Sequence, residues 1–276
     1  MDTQDDFDTS RTALSTPLLQ RNRLLAALST DARLRLLPAV DLVQVRAGQS
    51  LDPVHGTARR AYFPVTAMAS VRQMSPSGES TQVALVGPEG MVGISLITGG
   101  DAPWLRSTVQ LPGTMLALDG TRLAQEFARG GATMHALLRY THTLMAQMAQ
   151  AALCNRHHSI EQQLARWLLA TADRMAVREI VSTQDMVAGL LGVRREGITE
   201  AAGRLRDAGL IACRRGRFTL LDPRGLRARA CGCYEALRAQ QDGGAGDGMG
   251  GLPPRAGTST TERAERGHPG HMPLAA

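Results

Sequence analysis

The stretch that decides the fold is Ser182–Leu221, which reads STQDMVAGLLGVRREGITEAAGRLRDAGLIACRRGRFTLL. Ser182 or Thr183 can accept a hydrogen bond at the start of a helix, so the sequence predicts a short helix over 184–191. Gly192 follows directly, and glycine is the residue that most easily leaves a helix through a left-handed conformation. We therefore expect the chain to turn sharply there.

Beyond this turn, the sequence predicts a second helix and a hairpin. The second helix is expected over 194–208, because Gly209 stands where a helix commonly ends. Two short runs, 210–212 and 217–221, flank an Arg-Arg-Gly turn and predict a pair of strands. Helix, tight turn, helix and β-hairpin together are typical of a winged helix-turn-helix domain.

The second predicted helix has an apolar face and a polar face. The apolar face is expected to pack against the domain core and consists of Ile198, Ala201, Ala202 and Leu205. The opposite face carries Glu196, Thr199, Glu200 and Gly203. In this kind of domain, outward residues at the N-terminal end of the helix reach base edges in the major groove of DNA.

The charges of the region favour a nucleic-acid partner. Over 179–230 there are ten Arg against six Asp and Glu, a net charge of +4. An Arg can bind guanine through two hydrogen bonds, a Glu can accept one from cytosine, and Arg on the hairpin can reach phosphates. The residues expected to contact double-stranded DNA are Arg194, Arg195, Glu196, Thr199, Glu200, Arg204, Arg214, Arg215 and Arg217. The alternative is a charged, solvated helix on a domain that binds protein and no longer touches DNA.

The first half of the chain has a different sequence pattern. Between Val43 and Asp119, glycines and prolines recur at short intervals and separate short β-type runs. These runs are 67–74, 81–86, 107–111 and 115–118. The residues at 75–78 predict a hairpin turn between the first two. Many short strands with frequent turns predict a compact β-sandwich or barrel, not alternating strands and helices.

Two longer helices are predicted between the β-rich part and the winged helix. One covers about 132–155 and has an apolar seam on a near seven-residue spacing, formed by Leu137, Leu144 and Met148. This seam could pack on the chain's own β domain or pair with the same helix of a second subunit. The width of the apolar surface favours the pairing. The other helix covers 159–175 and opens with the spacing of a capping box.

The composition excludes several classes of protein. The chain has 276 residues, a net charge of +6 and no lysine, so all 31 basic side chains are arginine and lysine Schiff-base chemistry is impossible. No apolar run reaches the roughly 18 residues of a membrane-spanning helix, and the acidic N-terminus is unlike a signal peptide. The catalytic motifs Gly-x-Ser-x-Gly and His-Glu-x-x-His are missing, as is a phosphate-binding Gly-Lys loop. We therefore predict a cytoplasmic protein that has no membrane partner and is not an enzyme.

The order of these segments resembles that of the Crp/Fnr family of transcription regulators, which includes the cyclic AMP receptor protein. The segment Gly192–Glu196, followed by Gly203–Leu205, is similar to the family's recognition-helix pattern, in which an Arg-Glu pair reads the half-site. The resemblance implies that this pair, Arg195 and Glu196, contacts bases and that Gln184 lies near the DNA backbone.

Both ends of the chain are polar in composition. Together with the resemblance, this implies an α+β architecture in five segments. These are a disordered N-terminus (1–21), a cyclic-nucleotide-binding-like β-roll sensor domain (22–130), a long dimerisation helix (131–158), a C-terminal winged helix-turn-helix domain (159–240) and a disordered tail (241–276). The expected function is that of a homodimeric, sequence-specific DNA-binding regulator, with RNA polymerase as a further partner. Because Glu200 stands where well-known members have another base-reading Arg, the operator sequence cannot be carried over.

The resemblance also implies a phosphate-binding cassette in the β-roll. Its glycines and Arg-Ser pair are present as Gly90, Gly93, Arg106 and Ser107, which form the possible effector pocket. Met91 stands where the family has the carboxylate that binds the ribose hydroxyl, and a thioether cannot replace that acceptor. This substitution argues against cyclic AMP and leaves the effector unknown.

Four cysteines are too few for a disulfide scaffold. Oxygen-sensing relatives hold an iron–sulfur cluster through N-terminal cysteines, but none precedes Cys154 here, so no such cluster is expected. Cys154 and His157, three residues apart and with His158 adjacent, are one possible metal-binding pair, and Cys231 with Cys233 is another. Each offers two ligands where a closed zinc site needs four, so no metal site is predicted. A metal- or redox-responsive regulator that uses either group is the alternative function.

Overall fold

The computed structural model describes residues 9–10, 16–52, 59–99 and 104–243. The N-terminal elements are α1 (Thr16–Leu19), α2 (Arg23–Ala26), α3 (Thr30–Leu36), α4 (Ser95–Thr98) and α5 (Gly120–Ala128), with β1 (Thr9–Ser10), β2 (Val40–Val45), β3 (Arg60–Pro64), β4 (Met68–Met74), β5 (Ser80–Val86), β6 (Leu105–Leu111) and β7 (Gly113–Asp119). The C-terminal elements are α6 (Gly131–His157), α7 (Ile160–Met175), α8 (Gln184–Leu191), α9 (Arg195–Asp207), α10 (Pro223–Arg229) and α11 (Cys233–Gly243), with β8 (Glu179–Val181), β9 (Ile211–Arg214) and β10 (Arg217–Leu220). The mixed α+β class is confirmed.

Two antiparallel sheets form the β-roll, in the strand orders β1-β2-β7-β3 and β5-β4-β6. Both faces of the first sheet are buried, as strand β7 shows, because successive side chains of a strand point to opposite faces. Met115 and Ala117 lie in the core between the two sheets, and Leu116 and Leu118 lie in the core between the sheet and the helices. All four side chains are completely buried. The roll is therefore a layered structure, not a closed barrel.

The four β-type runs expected from the sequence coincide with β4 to β7, and the predicted turn at 75–78 is confirmed. Strand β4 ends at Met74, β5 begins at Ser80, and Gly78 has a positive φ of 92°. The backbone N–H of Gly78 donates to the carbonyl of Ser75 at 3.1 Å, which closes the hairpin. This hairpin lies in the sheet that faces the C-terminal domain.

The long helix α6 packs on the roll. The prediction that its seam of Leu137, Leu144 and Met148 pairs with a second subunit is therefore wrong. Leu137 is completely buried against the helices and first sheet of the roll, and Leu144 is buried in the core between the sheets. Met148, half-buried, packs against that same core. The exposed apolar residues lie on a neighbouring stripe, where Leu138 is 44% exposed and Met145 is 64% exposed.

Helices α7 to α10 and the sheet β8-β10-β9 form the C-terminal domain. Its core contains Trp167 and Phe218, whose rings meet edge to face at a centroid distance of 6.4 Å. Met68, Leu85 and Leu111 of the roll belong to the same core, so the two domains share buried apolar surface. The capping box expected at the start of α7 is present, with both of its hydrogen bonds formed.

The boundaries of the expected disordered ends differ from the structure. Within 1–21, α1 forms and Leu19 is 1% exposed, because α1 packs on the helical layer of the roll. At the other end, α11 continues to Gly243, past the expected boundary at residue 240. The rest of the predicted tail lies outside the described residues. None of the described helices is long and apolar enough to cross a membrane.

Candidate DNA-binding site

The first helix of the helix-turn-helix is set by a cap and a glycine. The Thr183 hydroxyl accepts a hydrogen bond from the backbone N–H of Met186 at 3.1 Å, so Thr183, and not Ser182, caps α8. Gly192 ends the helix with φ +67°. A side chain there would also lie 2.9 Å from the Thr81 hydroxyl, because the turn packs against the β4–β5 hairpin. The turn between the two helices thus requires glycine for two reasons.

The second helix, α9, has the two faces that the sequence predicts. Its buried side chains are Ile198, Ala201, Ala202 and Leu205. Arg194 occupies the N-cap position without a capping hydrogen bond from its side chain, and α9 begins one residue later than expected. Glu196, Thr199 and Glu200 are exposed on the other face. The helix therefore presents a polar, accessible surface at its N-terminal end.

Two contacts fix the exposed end of α9 to the start of α8. Arg195 Nε lies 3.3 Å from a carboxylate oxygen of Asp185. The hydroxyl of Thr199 donates to the side-chain oxygen of Gln184 at 2.8 Å, which leaves the Gln184 amide group as a donor. Asp185 was not among the predicted site residues, since only the packing of the two helices brings it beside Arg195.

Arg204 is held by carboxylates of its own chain. Its Nε donates to Glu161 of α7 at 2.7 Å, and a second nitrogen lies 3.8 Å from Glu200. The Glu161 side chain is only 15% exposed and also pairs with Arg229 at 3.2 Å. Arg204 therefore braces α9 against α7 in this structure, and its predicted phosphate contact would require it to leave Glu161.

The wing carries three arginines in two different situations. Arg217 on β10 pairs with Glu179 on β8, the strand beside it. Arg214 and Arg215 are exposed at the turn between β9 and β10. Within the described ranges, neither of these two, nor Arg194, has an ion-pair partner. Arg194 is exposed beside Arg195 at the start of α9, and Arg214 and Arg215 are exposed at the wing turn, so these three guanidinium groups are accessible to an anionic partner.

The glycines of the possible effector pocket have structural roles. A side chain at Gly90 would overlap the ring of Tyr140 on α6, whose hydroxyl donates to the carbonyl of Met91 at 2.6 Å. Gly93 has φ +101° and lies against the backbone of Arg60. Met91 is 1% exposed and belongs to the core between the sheet and the helices, so it lines no open polar site.

Arg106 and Ser107 meet a different partner. The backbone N–H of Ser107 donates to the Asp52 carboxylate at 3.0 Å, and Arg106 lies 3.9 Å from the same group. Burial raises the pKa of Asp52, which the Ser107 hydrogen bond opposes. The arginine expected to bind a cyclic phosphate thus lies beside a carboxylate of the roll. Arg106 and Ser107 contact Asp52, whereas Gly90 and Gly93 contact Tyr140 and Arg60, so the four residues do not share one set of contacts.

The structure brings the two cysteine groups together, although the sequence treats them as separate. Cys154, His158, Cys231 and Cys233 each offer a ligand atom, and these four atoms all lie within 4.8 Å of one another. His157 is exposed and is not part of the set. The expectation that no metal can be held rested on two ligands per site, and that premise is wrong. The hydrogen bond between Cys154 and Cys231 couples the two thiols and lowers the pKa of Cys231.

The helix-turn-helix and the whole fold both have counterparts among known proteins. A family model described as the Crp-like helix-turn-helix domain matches residues 162–229. No curated protein matches the sequence significantly. A Crp/Fnr family transcriptional regulator from Eubacterium rectale is similar in structure, with a TM-score of 0.60, 15% identity and coverage of 76% of this chain and 98% of that chain.

Two further solved structures have the same arrangement of elements. FixK2 from Bradyrhizobium japonicum gives a TM-score of 0.59 at 15% identity, covering 70% of this chain and 98% of its own. A CRP family transcriptional regulator from Thermus thermophilus gives 0.57 at 20% identity, covering 68% of this chain and 95% of its own. The resemblance noted in the sequence is thus confirmed: residues 162–229 match the Crp-like helix-turn-helix domain, and the fold is that of solved Crp/Fnr regulators.

Proposed function

We propose that the protein is a homodimeric regulator that reads a specific DNA sequence with the exposed N-terminal end of α9. The single observation that carries this proposal is the accessible surface formed by Arg195, Glu196 and Thr199, with the exposed Arg215 on the neighbouring wing. The first three can bond to base edges, and the wing arginine can bond to phosphates, which supplies both readout and affinity. Resemblance to the Crp/Fnr regulators supports RNA polymerase as a protein partner.

Dimerisation is proposed through the exposed stripe of α6. Leu138 and Met145 are seven residues apart and face away from the roll, and Ala152 and Leu153 continue the exposed surface towards the end of the helix. Pairing this stripe with its copy would remove large apolar side chains from water. Two recognition helices in a dimer can occupy half-sites about one DNA turn apart, so the operator is expected to be a pseudo-palindrome.

The β-roll is proposed as a sensor domain, but its ligand is not cyclic AMP. Met91 supplies no acceptor for a ribose hydroxyl and is buried in the core. Arg106 is already beside Asp52. The missing acceptor at Met91 and the pairing of Arg106 with Asp52 both argue against a cyclic nucleotide at this cassette.

The test is selection of bound sequences from a random duplex library at moderate salt, using the full chain. An enriched pseudo-palindrome is the expected result, and its affinity must fall steeply as salt rises, because phosphate contacts release counterions. Arg194→Ala/Arg195→Ala is the matched control, since it removes two exposed arginines at the start of α9. Absence of enrichment, with and without cell extract, or binding that salt does not weaken, would favour a module that binds protein.

A further inference from the structure

Four metal-ligand side chains from two distant parts of the chain converge at the end of α6. Cys154 is in the last turn of α6, and His158 caps the same helix four residues later, so both lie on one face. Cys231 lies between α10 and α11, and Cys233 is the first residue of α11. Cys154, Cys231 and Cys233 are at most 6% exposed and form a cluster of their own, apart from the three main cores.

The distances in this cluster fit one metal ion. Cys154 Sγ and Cys231 Sγ are 3.8 Å apart, and Cys233 Sγ is 3.7 Å from His158 Nδ1. In a tetrahedron with Zn–S bonds of about 2.3 Å and a Zn–N bond of about 2.0 Å, ligand atoms are separated by about 3.5 to 3.8 Å. A disulfide would require a separation of about 2.05 Å, so the sulfurs are placed as free thiols.

The donor set selects the kind of ion. Three thiolates and an imidazole are ligands that zinc prefers, whereas calcium and magnesium prefer oxygen. An iron–sulfur cluster would have to insert several iron and sulfide atoms among its ligands, which need wider spacing than ligands that share one ion. Because all four positions are filled by the protein, such a site has no open position for catalysis.

The surroundings suit a metal centre with excess negative charge. Zn²⁺ with three thiolates and a neutral imidazole carries a net charge of −1, and it displaces the thiol protons when it binds. Arg166 of α7 acts electrostatically on all three cysteines and can balance that charge. The Gln150 amide donates to Cys233 Sγ at 2.8 Å, a contact of the kind that orients a ligating side chain.

We propose that Cys154, His158, Cys231 and Cys233 bind one zinc ion as a closed tetrahedral site. The site ties α11, which follows the wing, to the junction at His158–Ser159 between α6 and the DNA-binding domain. The ion is therefore a brace that holds the C-terminal helix and this junction together. The inference rests on these contacts alone and does not depend on DNA binding.

The first experiment measures metal content and cobalt binding of the full chain, purified under reducing conditions. One zinc per chain is expected, and Co²⁺ added to the metal-free protein should give a thiolate-to-cobalt charge-transfer band and the intense visible bands of a tetrahedral ion. A Co²⁺ spectrum without thiolate charge transfer, or a disulfide between Cys154 and Cys231 in protein that retains no zinc, would overturn the proposal. This measurement uses the native sequence and needs no variant to fold.

Variants then assign the ligands. Cys231→Ser should lose the bound zinc, and His158→Ala should bind Co²⁺ at least tenfold more weakly than the native chain. The matched control is Cys213→Ser, because Cys213 is on β9, outside the cluster, and should keep one zinc per chain. Zinc content that is equal in Cys231→Ser and Cys213→Ser contradicts the assignment.

Discussion

Arg195 Nε on α9 lies 3.3 Å from the carboxylate of Asp185 on α8, and each side chain is 63% exposed. An exposed ion pair contributes about 0–1 kcal/mol, because water screens it and both side chains lose freedom. A bidentate contact between Arg and guanine discriminates by about 1–3 kcal/mol. A base contact would therefore outweigh the pair with Asp185, which in this structure holds the guanidinium at the exposed N-terminal end of α9.

The first prediction concerns this arginine. Arg195→Ala should weaken binding to the selected operator by about 1–3 kcal/mol and relax the preference at one base pair of each half-site. Competition binding against operators changed at single base pairs measures both effects. Arg206→Ala, which removes an exposed arginine at the other end of α9, is the control and should keep the preference.

Equal losses on operator and random DNA would show that Arg195 contacts phosphate only. Asp185→Asn provides a second check, because it removes the partner without removing the arginine. It should keep the base preference and tighten binding to all DNA, since a negative charge near the phosphates is gone.

The second prediction separates the two kinds of arginine on the wing. Arg215→Ala should weaken binding to all sequences alike and lower the slope of log K against log salt by about 1, the signature of one lost phosphate contact. Arg217→Ala should have a smaller effect, because Arg217 already pairs with Glu179. Salt titrations of both variants on operator and random DNA make the comparison. A loss confined to the operator would instead mean that Arg215 reads bases.

The third prediction is a pH dependence of stability. Hydrogen bonds from Arg35 hold the pKa of Glu126 below its ordinary 4.5, and the Glu126 side chain is only 5% exposed. Since the folded pKa is the lower one, the unfolded chain takes up the proton first as the pH falls. The stabilisation is therefore present above about pH 4.5 and is lost as the pH falls through the folded pKa.

Urea unfolding between neutral pH and pH 3 measures this loss. In Glu126→Gln the group no longer titrates, so the free energy of unfolding should fall less steeply below pH 5 than in the native chain. Arg35→Gln should flatten the same region, because Glu126 then loses its main hydrogen-bond donor. If the free energy of unfolding fell equally below pH 5 in the native chain and in Glu126→Gln, this pair would be ruled out as a source of the acid sensitivity.

The helix-turn-helix could be predicted from the sequence because its signals are local. Gly192 and Gly209 both have positive φ, where glycine is favoured, and they mark the ends of α8 and α9. Periodicity alone identifies the buried face of α9. The stripe on α6 could not be predicted in this way. Leu137 and Leu138 are adjacent and equally apolar, and only contact with the roll decides which is buried.

The same limit explains the cysteine cluster and the wing. Cys154 and Cys231 are 77 residues apart, so no short-range spacing signals that they meet. Glu179 and Arg217 are 38 residues apart and pair because β8 and β10 are neighbours in a sheet. The sequence shows both cysteine groups but predicts two separate sites, since their meeting depends on how α11 packs against α6.

The fourth prediction compares two glycines. Gly90→Ala should destabilise the fold by about 1–3 kcal/mol, because its methyl group would overlap the Tyr140 ring and force it to move. Gly203→Ala should stabilise the fold by about 0.5–1 kcal/mol, since Gly203 is inside α9 and nothing lies within 4 Å of an added Cβ. Chemical unfolding of both variants measures the sign of each change in the free energy of unfolding. Equal stability of Gly90→Ala and the native chain would mean that Tyr140 does not constrain that turn.

The fifth prediction tests the subunit interface. Met145 is 64% exposed in one chain, and the proposed pairing of α6 would bury it against its copy. Met145→Glu would place two like charges at that contact and leave them without water, which is unfavourable. The dimer Kd should rise at least tenfold, equal to about 1.4 kcal/mol, as measured by sedimentation over a concentration series.

Leu34→Glu is the matched control for this variant, because Leu34 is 55% exposed on α3, away from the stripe. It should leave the dimer Kd unchanged. In the monomeric range, Met145→Glu should lose affinity for the full palindrome and keep its weaker affinity for a single half-site, because each winged helix is intact while the second one is no longer tethered. If Met145→Glu remains as dimeric as Leu34→Glu, subunits pair through a surface other than α6.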